Sequence, residues 1–140
     1  MRYKIMSLFI VLSVLWSSAF SYAKQDANPI VTVLDSNGQP TTQITDGDNI
    51  QLQVTFPTSI SQQEDIDFLF DDTGVGACII PSGSTTCKTD LFPSFGWHWD
   101  INGNPQDAAI IQASASNGGI IAQSNPITIK PRPVVMVHGF

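Results

Sequence analysis

Charge is scarce in this sequence, and positive charge is scarcest. Lys and Arg number 6 against 12 Asp and Glu, charged residues make up 13% of 140, and the formal net charge is -6. Phosphate backbones are gripped by clustered Lys and Arg, so this balance argues against a nucleic-acid partner. Low charge does not imply disorder here, because 42% of residues are hydrophobic, enough to build a core. Cysteine is limited to 2 residues, too few for a four-ligand zinc site by themselves. No stretch beyond residue 23 sustains apolar residues at i, i+3, i+4 and i+7, so helices are not expected in the body of the chain. Long apolar runs are missing except at the N-terminus.

That one run reads as an address. Arg2 and Lys4 precede the uncharged stretch Ile5–Phe20, and Ser21-Tyr22-Ala23 places small residues at positions -3 and -1 of a cleavage site. Basic, apolar and small-residue regions in that order are the pattern of a secretory signal peptide. At about 16 residues the run is shorter than the ~20 that a spanning helix needs, so residues 1–23 are predicted to be removed and to leave no stable membrane anchor. No Cys follows the run, which argues against a lipid anchor. The protein is therefore expected to be secreted or periplasmic. In an oxidising compartment Cys78 and Cys87 are expected to form a structural disulfide, since their spacing is not the C-x-x-C of a redox pair.

Residues 24–130 read as short strands separated by turns. Ile50, Leu52, Val54 and Phe56 alternate with Gln51, Gln53 and Thr55, the period-two pattern of a half-buried strand. A one-residue slip would expose all four apolar side chains, so this strand sets its own register. Further strands are predicted at Ile30–Leu34, around Ile66, Phe68 and Phe70, at Thr85–Thr89, Trp97–Ile101, Ala109–Ser116, Gly119–Gln123 and Ile127–Lys130. Turns are expected at Asp35-Ser36-Asn37-Gly38, Asp46-Gly47-Asp48, Asn102-Gly103 and Asn117-Gly118-Gly119. About eight strands without helices predict an all-β, antiparallel two-sheet sandwich. The opening strand, its Asp-Ser-Asn-Gly turn, the Asp-Gly-Asp-Asn turn and the long amphipathic strand after them resemble bacterial Ig-like modules.

Several side chains invite a chemical reading. If Trp97–Ile101 is a strand, Trp97 and Trp99 share one face and His98 the other. The two indoles would then be either core or a stacking platform for a sugar or polymer surface, with Asp100 or Asn102 reading hydroxyls. Phe92, Phe95 and Trp97 form an aromatic loop that could touch a lipid or polymer if exposed. Asp46 with Asp48, and Asp71 with Asp72, offer oxygens to Ca²⁺ without EF-hand spacing; turn carboxylates usually bond their own backbone. No other cofactor is expected. Glu64, Asp65 and Asp67 read as a solvated sheet edge.

The last residues change character. After Pro131-Arg132-Pro133, a connector stiffened by proline, comes the continuous run Val134-Val135-Met136-Val137 and then His138-Gly139-Phe140. Continuous β-branched runs belong to strands buried on both faces, as in parallel sheets covered by helices. Arg132 to Phe140 resembles the opening of α/β-hydrolases of the lipase and esterase type. The resemblance implies that residues 131–140 begin such a domain and that its first strand delivers the oxyanion-hole loop His138, Gly139 and Phe140. The N–H of Phe140 would donate to the oxyanion, and His138 would shape the loop without being the catalytic base. It implies an ester or lipid substrate for the complete enzyme. The G-x-S-x-G elbow, the acid and the base that such enzymes need are not among these 140 residues. The chain is thus expected to be the front end of a truncated secreted serine hydrolase, inactive by itself. The competing expectation is a free-standing sandwich that binds carbohydrate or polymer surfaces through Trp97 and Trp99.

Overall fold

The structure, a computed structural model, describes residues 28–134. The expected signal peptide and the loop His138, Gly139 and Phe140 lie outside the described residues. Between those limits the fold is all-β, with eleven strands and, among the described residues, no helix.

The chain lays down β1 (Ile30–Leu34), β2 (Gln43–Thr45) and β3 (Asn49–Thr55). Next come the hairpin β4 (Glu64–Phe70) and β5 (Thr73–Ile80), then β6 (Thr86–Lys88) and the two-residue β7 (Phe92–Pro93). The last four are β8 (Ala108–Ala109), β9 (Ile111–Ala115), β10 (Ile120–Gln123) and β11 (Ile127–Lys130). One half of the main sheet is β6-β3-β1, with β7 also on β3, and the other is β10-β9-β4-β5. A single parallel contact, Ile30 with Gln123, joins the halves into one eight-stranded path. The path curls until its two ends, β5 and β6, meet. There the Cys78–Cys87 disulfide ties them with a Cα–Cα distance of 5.9 Å. A smaller sheet, β2-β11-β8, completes the sandwich.

Periodicity explains the core. On β3 Ile50, Leu52 and Val54 are buried while Gln51 and Gln53 face outward, and β1 contributes Val31 and Val33 from the opposite register. Ile66, Phe68 and Phe70 of β4 and Ile111 and Ala113 of β9 supply the facing half. Fully burying side chains of this size stabilises by about 1.5–3 kcal/mol each before conformational entropy is set against it.

Several expectations are corrected. Trp97–Ile101 is not a strand but a run of turns, closed by an isolated bridge between Trp99 and Pro105. Hydrogen bonds from Asn102 and Asn104 to the Asp100 carboxylate hold it curved. Ala109–Ser116 splits at Ile110, so that β8 joins the small sheet and β9 the large one; Ser124 Oγ accepts the freed Ile111 N–H at 2.9 Å. Two pairings, β1 with β10 and β2 with β11, are parallel within otherwise antiparallel sheets. Glu64, Asp65 and Asp67 are not at an edge: β4 lies between β5 and β9, and the acids occupy or flank its outer face.

Strand β5 had no clear signature. Gly74 and Gly76 interrupt its alternation, yet it pairs with β4 along its whole length. Gly76 has a reason to be glycine, because a Cβ there would come within 3.0 Å of the Thr89 side chain. The β4–β5 turn consists of Asp71 and Asp72, both at positive φ (47° and 59°). Positive φ at both central residues is the requirement of the type I′ hairpin turn, whose twist matches that of the strands. Asp tolerates this region better than most side chains. This turn geometry accounts for the acidic pair without a cation.

Candidate functional site

The described residues bring the chemically suggestive side chains together at one end of the sandwich. Three segments meet there: the turn Asp46-Gly47-Asp48, the stretch Ser94–Trp97, and the chain leaving β11. Ser94 is fully buried and knits the first two. Its N–H donates to Asp48 O at 2.9 Å, its hydroxyl lies 3.1 Å from the same carbonyl, and Gly47 N–H donates to Ser94 O and Oγ, both at 3.2 Å. The Asp46 carboxylate accepts the Trp97 N–H at 3.0 Å, and Asp48 Oδ2 accepts the Thr45 N–H at 2.7 Å. Both carboxylates offered above to calcium are thus engaged in holding backbone.

The two tryptophans part company. Trp97 is 5% exposed and stacks on Phe70, with ring centroids 4.5 Å apart and planes 12° from parallel. Phe92 packs on its other side at 6.1 Å. Trp99 is 51% exposed and touches only the edge of the His98 ring among aromatic neighbours. The expected shared platform does not form, because a turn does not alternate side chains as a strand does. Trp99 alone remains open to a ligand. Phe95 and Ile101, 61% and 79% exposed, are the other large apolar side chains of this loop that face solvent.

His98 is buried, and its Nδ1 has no hydrogen-bond partner among the described residues. The nearest carboxylate oxygen, on Asp107, is 3.8 Å away, too long for a hydrogen bond. No nucleophile is paired with it. The Ser82 hydroxyl donates to Ser61 O at 2.8 Å. A concavity of about 470 Å³ over Pro29, Ile30, Ile120 and Ala122 has no titratable side chain in its lining.

A symmetry emerges that pairwise motif reading missed. Asp35-Ser36-Asn37-Gly38-Gln39-Pro40 and Asp100-Ile101-Asn102-Gly103-Asn104-Pro105 share the pattern D-x-N-G-x-P. They also share a conformation. Asp35 Oδ1 accepts the N–H groups of Asn37 and Gln39, as Asp100 Oδ1 accepts those of Asn102 and Asn104. Gly38 and Gly103 sit at φ 75° and 79°. Leu34 bridges Pro40 as Trp99 bridges Pro105. Each turn hands the chain to one flank of β11, the first to β2 and the second to β8. Comparing the two turn sequences side by side would have revealed the pair.

The Asn104 backbone N–H above all, then its side-chain amide and with them Asn102, holds the Asp100 carboxyl below the ordinary aspartate value. A lowered folded-state pKa means that this turn gains stability from ionised Asp100 above the unfolded pKa. It loses that contribution as pH falls through the folded value. An acid titration followed by NMR should show Asp100 titrating below a denatured-chain aspartate, with the Asn102 and Asn104 amides shifting at the same pH. A normal midpoint would remove these hydrogen bonds from solution.

No protein-family model matches the chain, and comparison with curated protein sequences finds no match. Among the described residues no helix is long and apolar enough to cross a membrane.

Proposed function

We propose that this chain is the N-terminal part of a secreted lipase- or esterase-type serine hydrolase, and that its Ig-like sandwich is an accessory domain preceding the catalytic one. The observation that carries the reading is the stretch Arg132–Phe140, directly after β11. A proline-stiffened connector, a β-branched run and His138-Gly139-Phe140 follow one another as at the start of that enzyme class. The absence of a paired nucleophile and base among the described residues is in keeping with a non-catalytic sandwich. The Cys78–Cys87 disulfide is in keeping with export.

In the complete enzyme, serine attack on an ester carbonyl would form an acyl-enzyme that water then cleaves. This chain would contribute the Phe140 N–H to the oxyanion hole, worth about 2.7–4 kcal/mol in the transition state. Gly139 would let the backbone approach the substrate closely.

Reading the coding sequence past the Phe140 codon tests this. The expected frame continues into a G-x-S-x-G, then an acid and a His. Its product should hydrolyse a p-nitrophenyl ester, with roughly a 10³-fold or greater loss when the elbow serine becomes Ala. A stop codon at that point, or hydrolysis indifferent to the serine, overturns the proposal.

The exposure of Trp99 favours one second reading, a surface that binds carbohydrate or polymer. Under it, the chain should be retarded in gels containing soluble glucans, xylans or mannans. Trp99→Ala should abolish the retardation and leave the melting temperature within about 2 °C of the parent, since exposed substitutions usually change stability little. Migration that no polysaccharide changes counts against this reading.

A further inference from the structure

The first residues after β11 do not swing free of the sandwich. The Arg132 Nε–H donates to Asp46 O at 3.2 Å, and its guanidinium lies over the Phe95 ring, 4.6 Å from the centroid. Beneath it sits Gly47, where a Cβ would overlap both the guanidinium and the Phe95 ring; its φ of 89° independently favours glycine. The floor of this seat is itself fastened, because Asp46 N–H donates to Lys130 O at 2.8 Å and Gly47 N–H to Ser94. A planar cation on an aromatic face above a bare glycine is a fitted contact of the kind Arg makes better than Lys. With proline on either side of Arg132, the direction in which the chain departs is set by the sandwich.

Around this seat the surface is apolar and uncovered. Phe95, Trp99 and Ile101 belong to one loop, whose turn is closed by Trp99 N–H donating to Gly96 O at 3.0 Å. Val134, two residues past the seat, is 83% exposed. Clustered exposed apolar side chains on a soluble domain mark contact surfaces more often than chance. Here the chain itself indicates the occupant, because its exit is clasped to that very loop.

We propose that Arg132 clasps the connector onto the Gly47–Phe95 seat, and that the Phe95–Ile101 loop is the docking surface for the domain that the chain enters at Val134. This rests on the reading of Arg132–Phe140 as the opening of a following domain. The sandwich then acts as a fixed shoulder for that domain and not as a bead on a loose string. Such contacts between domains of one chain resemble transient protein interfaces.

Two measurements test it. In the 140-residue chain, ¹⁵N relaxation should show residues 131–134 nearly as rigid as β11, and Arg132→Ala should release them. Arg132→Lys should restore only part of the rigidity. Phe95→Leu, which removes the aromatic face but keeps an apolar side chain, guards against misreading a folding defect. A connector equally mobile in parent and Arg132→Ala overturns the clasp. In the product of the continued frame, hydroxyl-radical footprinting should find Phe95, Trp99 and Ile101 protected at least threefold relative to the 140-residue chain, and Arg132→Ala should reduce that protection. Equal labelling overturns the docking surface even when the product hydrolyses esters. Protection by a following domain that lacks hydrolase activity upholds the docking surface while the hydrolase reading fails. A frame that closes at Phe140 overturns both.

Discussion

Phe68→Ala should destabilise the protein by about 3–5 kcal/mol, toward the upper end of that range. Phe68 is fully buried at the middle of β4. Its cross-strand neighbours are the small residues Ala113 on β9 and Gly76 on β5. The ring therefore fills space that neither flank supplies. When it is truncated, no adjacent side chain is long enough to relax into the gap, and unrelaxed cavities are the costly ones. Denaturant unfolding should show a lower midpoint with an unchanged slope, the signature of lost stability in an intact fold. Phe68→Leu should recover more than half of the loss. A cost of under about 1 kcal/mol for Phe68→Ala would mean that the two halves of the sandwich close on each other more readily than this packing allows.

Replacing Cys78 and Cys87 together by Ala should cost about 2.5–3 kcal/mol, from the entropy of the short loop that the disulfide closes in the unfolded chain. The structure adds a local consequence. β5 and β6 are the two ends of the main sheet's path, and no backbone ladder pairs them. The disulfide fastens those ends. Without it, hydrogen exchange should accelerate first in β5 and β6, while β1, β3 and β9 keep their protection. The freed ends should also raise the tendency to associate, as unpaired sheet edges do. Uniform acceleration across all strands would mean that the bridge acts only through the unfolded chain. Phe68→Ala should instead weaken the whole sheet, so the two variants give distinguishable exchange patterns.

Much of the fold was legible in residue order. β3 and β4 announce themselves by strict alternation, and Asp35–Gly38 and Asn117–Gly119 by turn chemistry, because these depend on neighbours a few positions apart. Strand β5 was not legible. Its glycines answer to the Thr89 side chain and to the pairing with β4, neither of which is local. Trp97–Ile101 was misread for the converse reason. Its aromatic residues favour a strand, but the Asp100 carboxylate draws the backbone into a turn and hides one indole against Phe70.

The candidate site divides in the same way. Residue order alone singled out Trp97, Trp99, the two cysteines and the stretch from Arg132 to Phe140, because each is a rare residue type or a compact motif. It also determined the all-β class, since period-two burial with frequent turn residues leaves few other ways to hide the apolar faces. Only the tertiary structure separated buried Trp97 from exposed Trp99, made the disulfide a fastening between sheet ends, and seated Arg132 over Phe95 and Gly47. Those three outcomes join residues that lie far apart along the chain or depend on which face a turn presents. Such distances are set by the closure of the sheet and not by any local preference.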